Sequence, residues 1–283
     1  MKTWGLFLCH RVPTTYRWLC KDGSVFTTMS ALTIIEALAS GVFIGAVLGF
    51  VGAGGAMVSV PILLYIFHFT THQATVAALI IVAAAALAGL APKIKTQEVL
   101  IREAFTIWGI GLATTISMTA LAPHIPENFI HAGFALVLIG AATSMLRGPI
   151  TGSPEKSISI IWLIAISLAV GAMTGLFGIG GGFLVIPILV LFFHTSQNKA
   201  AGTSLLIIAM NSGTSFLQRF HTWKSIPWGV PAIIVLSAII TAQYASKKSP
   251  HVNVRALRRA FAILLYLLAL LTIWKIFYTT SSR

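Results

Sequence analysis

The sequence predicts an all-α polytopic membrane protein. We expect about eight transmembrane helices in two internally repeated halves, each half containing a short broken or re-entrant helix. Of the 283 residues, 57% are hydrophobic and only 9% are charged, whereas about 25% of a typical globular protein is charged. The apolar residues form eight long stretches almost free of charge, and a glycine-rich block occurs once in each half. This composition excludes an ordinary soluble enzyme.

Most of the apolar stretches have about the 20 residues that a helix needs to cross the hydrocarbon core of a bilayer. In chain order they cover residues 31–51, 73–92, 104–122, 129–146, 157–177, 200–217, 226–246 and 260–274. Lysine and arginine lie almost wholly between the stretches and give the chain a formal charge of +13. Basic loops face lipid head groups and set orientation. We therefore expect a multi-pass membrane protein, with the lipid bilayer and no nucleic acid as its partner.

Residues 1–29 precede the first stretch, and we interpret them as an N-terminal basic cytoplasmic tail. Basic residues interrupt its short apolar patch early, unlike the pattern of a cleavable signal. Both cysteines, Cys9 and Cys20, lie in this tail without CxxC spacing, and with His10 they would still lack a fourth metal ligand. We interpret them as reduced thiols and expect no metal and no cofactor.

The two halves of the chain repeat one another around the glycine-rich blocks. The matching glycine, proline and histidine residues are Gly45, Gly49, Gly52, Gly54, Gly55, Pro61 and His68 in the first block and Gly171, Gly175, Gly178, Gly180, Gly181, Pro187 and His194 in the second. A duplicated membrane bundle is typical of secondary transporters. We assign residues 30–150 to the first repeat, residues 151–156 to a linker and residues 157–283 to the second repeat.

A short apolar piece follows the glycine cluster in each half, at residues 56–67 and 182–193. Each would make about 18 Å of helix against a hydrocarbon core of about 30 Å. Each also carries a helix-breaking proline, Pro61 or Pro187. We predict two half-helices that face each other near the bundle centre, and eight crossings with the N-terminus inside. If the pieces did cross, the ten crossings would form two halves of opposite orientation.

The glycine clusters are the predicted substrate site. A helix that begins inside a membrane protein presents unpaired N–H groups and a positive dipole end, which suit an anion. Hydroxyl and amide side chains downstream can add hydrogen bonds without charge. The candidate substrate-binding residues are Gly52, Gly54, Gly55, Gly178, Gly180, Gly181, Gly182, Thr203, Ser204 and Asn211. The alternatives are close helix packing through the glycines and back-bonding of the hydroxyls to their own helix.

Three ionisable residues are candidates for ion coupling. Glu36 is the only acid within any apolar stretch, and such residues are functional candidates by default. His68 and His194 end the two short pieces, where a relay role competes with simple capping of the helix dipole. Glu36 lies near the start of its stretch, so reaching the membrane interface is the alternative for that side chain.

The duplicated blocks resemble the sulfite exporter TauE/SafE family of bacterial membrane permeases. The resemblance rests on the pattern G-x-x-G-x-G-G-(G/A)-x5-P-x-L at residues 49–63 and 175–189 and on the Ala-Gly-Thr-Ser-Leu run at 201–205, and it covers about residues 30–278. It implies a polytopic carrier of the bacterial cytoplasmic (inner) membrane for sulfite, thiosulfate, sulfoacetate or other sulfur-containing or organic anions. The first half departs from the pattern at Ala56 and at Ala77-Ala78, which stand in place of a glycine and a Thr-Ser pair.

We therefore expect a secondary transporter that exports a small anion, such as sulfite or a related sulfur oxyanion or organosulfonate. An uptake permease for an organic anion is the alternative within transport, and a non-transporting assembly or scaffold protein is the alternative outside it. An enzyme is not expected, because no HExxH motif and no pair of aspartates within the stretches is present. Self-association into a homo-oligomer is left open.

Overall fold

The computed structural model describes residues 30–121, 124–125, 127–147, 160–177, 185–186, 189, 196–249, 259, 262–263 and 265–273. All regular structure among these residues is helical, as the sequence predicts. The helices are α1 (Ala31–Val51), α2 (Gly55–Tyr65), α3 (Thr71–Lys95), α4 (Ile101–Leu121), α5 (Glu127–Arg147), α6 (Ile160–Phe177), α7 (Gln197–Gln218), a 3-10 helix (Phe220–Ser225) and α8 (Gly229–Lys248). The predicted tail at 1–29 and linker at 151–156 lie outside the described residues.

Within the described part of the chain, five helices are long and apolar enough to cross a membrane, namely α1, α3, α4, α7 and α8. Their outer faces carry exposed apolar side chains; Ile35 and Ile240, for example, are 62% and 69% exposed. Such a surface suits contact with lipid and is costly in water. The prediction of a multi-pass membrane protein is confirmed.

Helices α1 and α8 pack with their backbones in direct contact. A Cβ atom at Gly45 would lie 2.5 Å from the carbonyl oxygen of Ala238, and one at Gly49 would lie 2.5 Å from that of Ala242. Gly41, one turn earlier, meets Ile234 in the same way. Small residues allow this approach between membrane helices. Because the contacts advance along both helices together, α1 and α8 run parallel.

Helices α4 and α6 pack in the same manner. Gly171 of α6 meets the carbonyl oxygen of Gly111, and a Cβ atom at Gly175 would lie 2.5 Å from that of Thr115. The Thr115 hydroxyl also donates to the Gly171 carbonyl at 3.1 Å. Helices α4 and α6 are therefore parallel to each other, and the glycines that pack them are sequence equivalents of Gly45 and Gly49.

Helix α3 runs in the same direction as α1 and α8. The side chain of Gln73, near its start, donates to the carbonyl of Ser225 just before α8, at 2.6 Å. Near its end, the Gly89 carbonyl accepts from the Ser246 hydroxyl at 2.6 Å. We call the end of the bundle that holds Lys93 and Ser246 the lysine end. The opposite end, which holds the 3-10 helix, is the tryptophan end.

The short helix α2 connects these two ends. It begins at Gly55, beside Leu48 near the end of α1. The chain that leaves it reaches Thr70, which caps α3 at the tryptophan end. Since α1 and α3 are parallel, the intervening residues must pass from one end to the other. The expectation of a re-entrant first short helix is therefore wrong, because non-helical residues after Tyr65 add the length that the helix lacks. The count of eight crossings is not confirmed.

The predicted helix break at Pro61 is also wrong. Helix α2 continues through Pro61 to Tyr65. The break lies earlier, where Gly52 and Gly54 adopt φ angles of 77° and 85°. Such positive φ values are strained for side chains with a Cβ but not for glycine. A proline removes one hydrogen bond from a helix, whereas two left-handed residues end α1 and redirect the chain.

Helix α7 runs opposite to α3. Its Leu205 lies beside Gly89 near the end of α3, at 3.5 Å from a Cβ position there, whereas residues after α7 meet the start of α3. Helix α4 is parallel to α7, because Leu100 contacts Thr203 near the start of both helices and Trp108 contacts Thr214 farther along. The bundle thus has α1, α3 and α8 in one direction and α4, α6 and α7 in the other.

We expect four single cysteines, placed in a Cys9→Ser, Cys20→Ser background, to report these directions. His72→Cys and Ser225→Cys should react with a membrane-impermeant maleimide from one face of the membrane, and Lys95→Cys and Lys247→Cys from the other. All four positions are exposed. The eight-crossing arrangement instead places residues 72 and 225 on opposite faces, so labelling of that pair from different sides would contradict the structure.

We expect Gly45→Leu to separate α1 from α8 and to lower the thermal unfolding midpoint of the purified protein by several degrees. Overpacking of this kind costs typically about 1–3 kcal/mol. Gly109→Leu is the matched control, because nothing lies within 4 Å of a Cβ atom at Gly109. Equal unfolding midpoints for the two variants would show that the glycine contact does not hold the helices.

Candidate functional site

The first glycine cluster is buried at the junction of α1, α2 and α7. A Cβ atom at Gly52 would lie 2.6 Å from that of Ala201, and one at Gly55 would overlap the Leu48 side chain. Gly52 and Gly55 are therefore needed for packing, which is one of the two alternatives predicted for them. Gly54 precedes α2 in a left-handed conformation. The start of α2 is a helix N-terminus that no side chain of the described residues caps.

The Ala-Gly-Thr-Ser-Leu run lies in the second turn of α7, against the loop of residues 96–100. Gly202 meets the backbone carbonyl of Glu98. The Thr203 hydroxyl donates to the Lys199 carbonyl at 2.7 Å and accepts the Leu100 N–H at 3.0 Å. Since the Leu100 carbonyl accepts the first hydrogen bond of α4, Thr203 caps α4 from a different helix. Its only proton is directed at its own helix, not at an open space.

A second face of α7 carries the other polar candidates. Ser204, Asn211 and Ser215 recur at helical spacing and are all at most 5% exposed. Between them, the Ser212 hydroxyl is buried with no hydrogen-bond partner among the described residues. A buried polar atom without a partner costs about 1–3 kcal/mol. This serine face has more buried polar side chains than any other described helix.

The described coupling candidates, Glu36 and His68, lie toward the tryptophan end, away from the glycine cluster. Glu36 is in the first third of α1, toward the tryptophan end, and its Oε2 atom is buried without a hydrogen-bond partner among the described residues. His68 follows α2 with a φ angle of 53°. Neither residue lies in the turn that joins α1 to α2 and packs against α7. The structure therefore does not bring them to the glycine cluster.

Six of the predicted residues lie outside the described part of the chain. They are Gly178, Gly180, Gly181, Gly182, Pro187 and His194. The helices that lead into the two clusters end at opposite ends of the bundle, α1 at the lysine end and α6 beside the last turns of α4. Since the second cluster lies outside the described residues, the two facing half-helices stay a prediction.

Sequence reasoning missed one buried charge. Lys93, in the last turn of α3, is only 1% exposed, and its ammonium lies 3.4 Å from the Glu98 carboxylate. The signal was present, because a lysine near the end of an apolar stretch is followed five residues later by a glutamate. Assigning all loop charges to lipid head groups overlooks this ion pair.

A family model decides what this bundle is. The model for the sulfite exporter TauE/SafE family matches residues 37–272, which includes both glycine blocks and the Ala-Gly-Thr-Ser-Leu run. The chain belongs to the sulfite exporter TauE/SafE family. The resemblance expected from the motifs is therefore confirmed, and in this member of the family the first block forms the end of α1 and most of α2.

Several curated relatives carry the name of a membrane transporter. A protein of Xylella fastidiosa (strain 9a5c), named "Probable membrane transporter protein", is 24% identical over 261 residues, covering 87% of this chain and 97% of the relative. The Bacillus subtilis protein YdhB, with the same description, is 24% identical over 62% of this chain and 76% of its own length. YunE of that bacterium is 33% identical over 41% of each chain. No solved structure matches the chain significantly. The chain is a membrane transporter by family.

We expect Thr203→Val to destabilise the protein by about 1–3 kcal/mol, because the part-buried Leu100 N–H loses its acceptor. Thr203→Ser keeps the hydroxyl and should retain most of the parental thermal stability. Thr106→Val is a matched control, since the Thr106 hydroxyl is exposed and bonds only back to Arg102 in its own helix. If Thr203→Val unfolds at the same temperature as this control, the cap does not stabilise α4.

Proposed function

We propose that the protein is a secondary transporter that exports a small anion, sulfite or a related sulfur oxyanion, across the bacterial inner membrane without converting it chemically. The observation that carries this proposal is the buried serine face of α7 (Ser204, Asn211, Ser212 and Ser215), in a chain of the sulfite exporter TauE/SafE family. Hydroxyl and amide groups in a dry site stabilise an anion by hydrogen bonds. The buried start of α2 adds a positive helix end beside the first turns of α7.

The helix directions support ten crossings in two inverted halves. Helix α1 of the first half pairs in parallel with α8 of the second, and α6 of the second half pairs in parallel with α4 of the first. Sequence-equivalent glycines make both contacts. Since α1 and its sequence equivalent α6 run in opposite directions, the two halves have the inverted relation found in many transporters. In this arrangement the α1–α8 pair and the α4–α6 pair can rock as rigid units about the contact between α3 and α7.

An inside-negative membrane potential favours export. It drives a singly charged anion outward by about 2.3 kcal/mol per 100 mV. Export of such an anion therefore needs no coupling ion, in agreement with the single acid in the predicted membrane stretches, Glu36.

We expect proteoliposomes containing the protein to release labelled sulfite faster when the potential drives anions outward. Asn211→Leu should reduce that flux at least about tenfold, because an unpaired or missing donor costs more than 1 kcal/mol in a dry site. Ser117→Ala is the control, since that hydroxyl is exposed and bonds only to its own helix. Gly181→Leu tests the second cluster in the same assay. If the Asn211→Leu variant inserts correctly and transports sulfite at the parental rate, the proposed site is overturned.

One observation favours uptake as the second candidate function. The buried Glu36 carboxylate oxygen has no hydrogen-bond partner among the described residues, and carriers use such groups to move protons. If the protein takes up an organic anion with protons, Glu36→Gln should abolish accumulation driven by a pH gradient. If it exports without coupling, Glu36→Gln should leave potential-driven flux within about twofold of the parent. Absence of flux together with no stabilisation by any anion would favour a scaffold.

A further inference from the structure

A cavity of about 360 Å³ opens at the lysine end, between the last turns of α3 and α8. Lys93, Lys95 and Lys247 contribute to its wall, with Glu98 as the only acid among the residues that line it. Gln243 adds a side-chain amide. Three ammonium groups against one carboxylate give the cavity a net positive charge.

Lys93 is the unusual member of this wall. Only 1% of its surface is exposed. Its ammonium group has three N–H donors, each of which needs an acceptor. Among the described residues, its hydrogen-bond partner is Glu98, at the long distance of 3.4 Å. A buried charge is costly unless it is paired and hydrogen-bonded. The ammonium therefore has unused donor capacity at the edge of a cavity that could hold a polyatomic anion.

Low-dielectric walls strengthen the attraction. Charges of one sign along a cleft focus the field and raise the local concentration of counter-ions. Lys95 and Lys247 are exposed, so they can attract an anion from solution, whereas Lys93 lies deeper. The cavity thus offers a shallow capture step followed by a buried contact.

The loop of residues 96–100 connects the cavity to the helix that carries the serine face. Glu98 belongs to the loop of residues 96–100, whose backbone lies on Gly202 and whose Leu100 N–H is accepted by Thr203. An anion at Lys93 competes with the Glu98 carboxylate for the same ammonium. Occupation of the cavity therefore weakens the ion pair that holds this loop next to the start of α7.

We propose that the cavity is an oxyanion-binding vestibule of the transporter, in which Lys95 and Lys247 capture the oxyanion and Lys93 binds it in competition with Glu98. This inference rests on the proposed transport function for its role, but not for its binding chemistry. The oxyanion is either the free transported anion or the phosphate of an anionic lipid head group.

Binding is tested on the purified full chain in neutral detergent, by titrating sulfite and following the thermal unfolding midpoint. Stabilisation of the native state reports binding. Glu98→Gln should tighten sulfite binding at least about threefold, because it removes the competing charge. Lys95→Gln combined with Lys247→Gln should weaken it by a similar factor. Lys224→Gln, at the tryptophan end, is the charge-matched control and should leave binding unchanged.

Lys93 itself needs a compensated variant, because Lys93→Met alone leaves the partly buried Glu98 carboxylate without its partner. Lys93→Met combined with Glu98→Gln removes both charges, and it should unfold near the parental temperature but lose at least about tenfold in sulfite affinity. If the double variant and the Lys95/Lys247 variant both bind sulfite like the parent, the vestibule is overturned.

Two further arms separate the source of the oxyanion and the role of the site. In one outcome, phosphatidylglycerol in phosphatidylcholine vesicles stabilises the parent but not these variants, and sulfite stabilises neither the parent nor the variants. The oxyanion is then a lipid phosphate. If sulfite binding depends on Lys93 but the parent moves no sulfite, the vestibule holds and the transport proposal fails. If sulfite flux in the parent and in the variants has the same KM, transport holds and the vestibule fails.

Discussion

The contact between the glycine face of α1 and the backbone of α8 determines much of the rest of the bundle. Gly41, Gly45 and Gly49 admit the carbonyls of Ile234, Ala238 and Ala242, so the two helices can lie together only in one register and one direction. Because α3 pairs with α8 as well, α1 and α3 become parallel, and the segment between them must change ends. The position of the first glycine cluster at the lysine end, beside α7, follows from that geometry rather than from any preference of the cluster itself.

Sequence reasoning succeeded where an element is decided by its own residues. Helix α1 occupies the predicted residues 31–51, because Ser30 caps its start and Gly52 ends it. The sequence predicts the short helix but not its path through the bundle. An argument from length treats the helix as if it had to cross the membrane alone. About 3.3 Å per extended residue lets the chain after Tyr65 complete the passage. The direction of each helix depends on the helices that it packs against, which lie far along the sequence. The periodicity of apolar residues carries no information about these neighbours.

The candidate site was predictable as a set of residue types and not as a set of roles. A threonine in an apolar helix can bind a ligand, bond back to its own turn or cap another helix, and the sequence is the same in each case. Thr203 does the last two. Ser212 and Glu36 keep buried oxygens without partners among the described residues, which no pattern of hydropathy reveals. The serine face is thus the part of the prediction that the structure sharpens most.

The pairing of α1 with α8 also bears on how the protein is made. Helix α1 leaves the ribosome and enters the membrane long before α8 has been synthesised. Until then, its glycine face contacts lipid or a temporary partner. Neither strip of glycines, on α1 or on α6, meets its final neighbour within its own half of the chain. The contact of α1 with α8 therefore forms late, and a chain that stops before α8 leaves α1 without the surface that fixes its position.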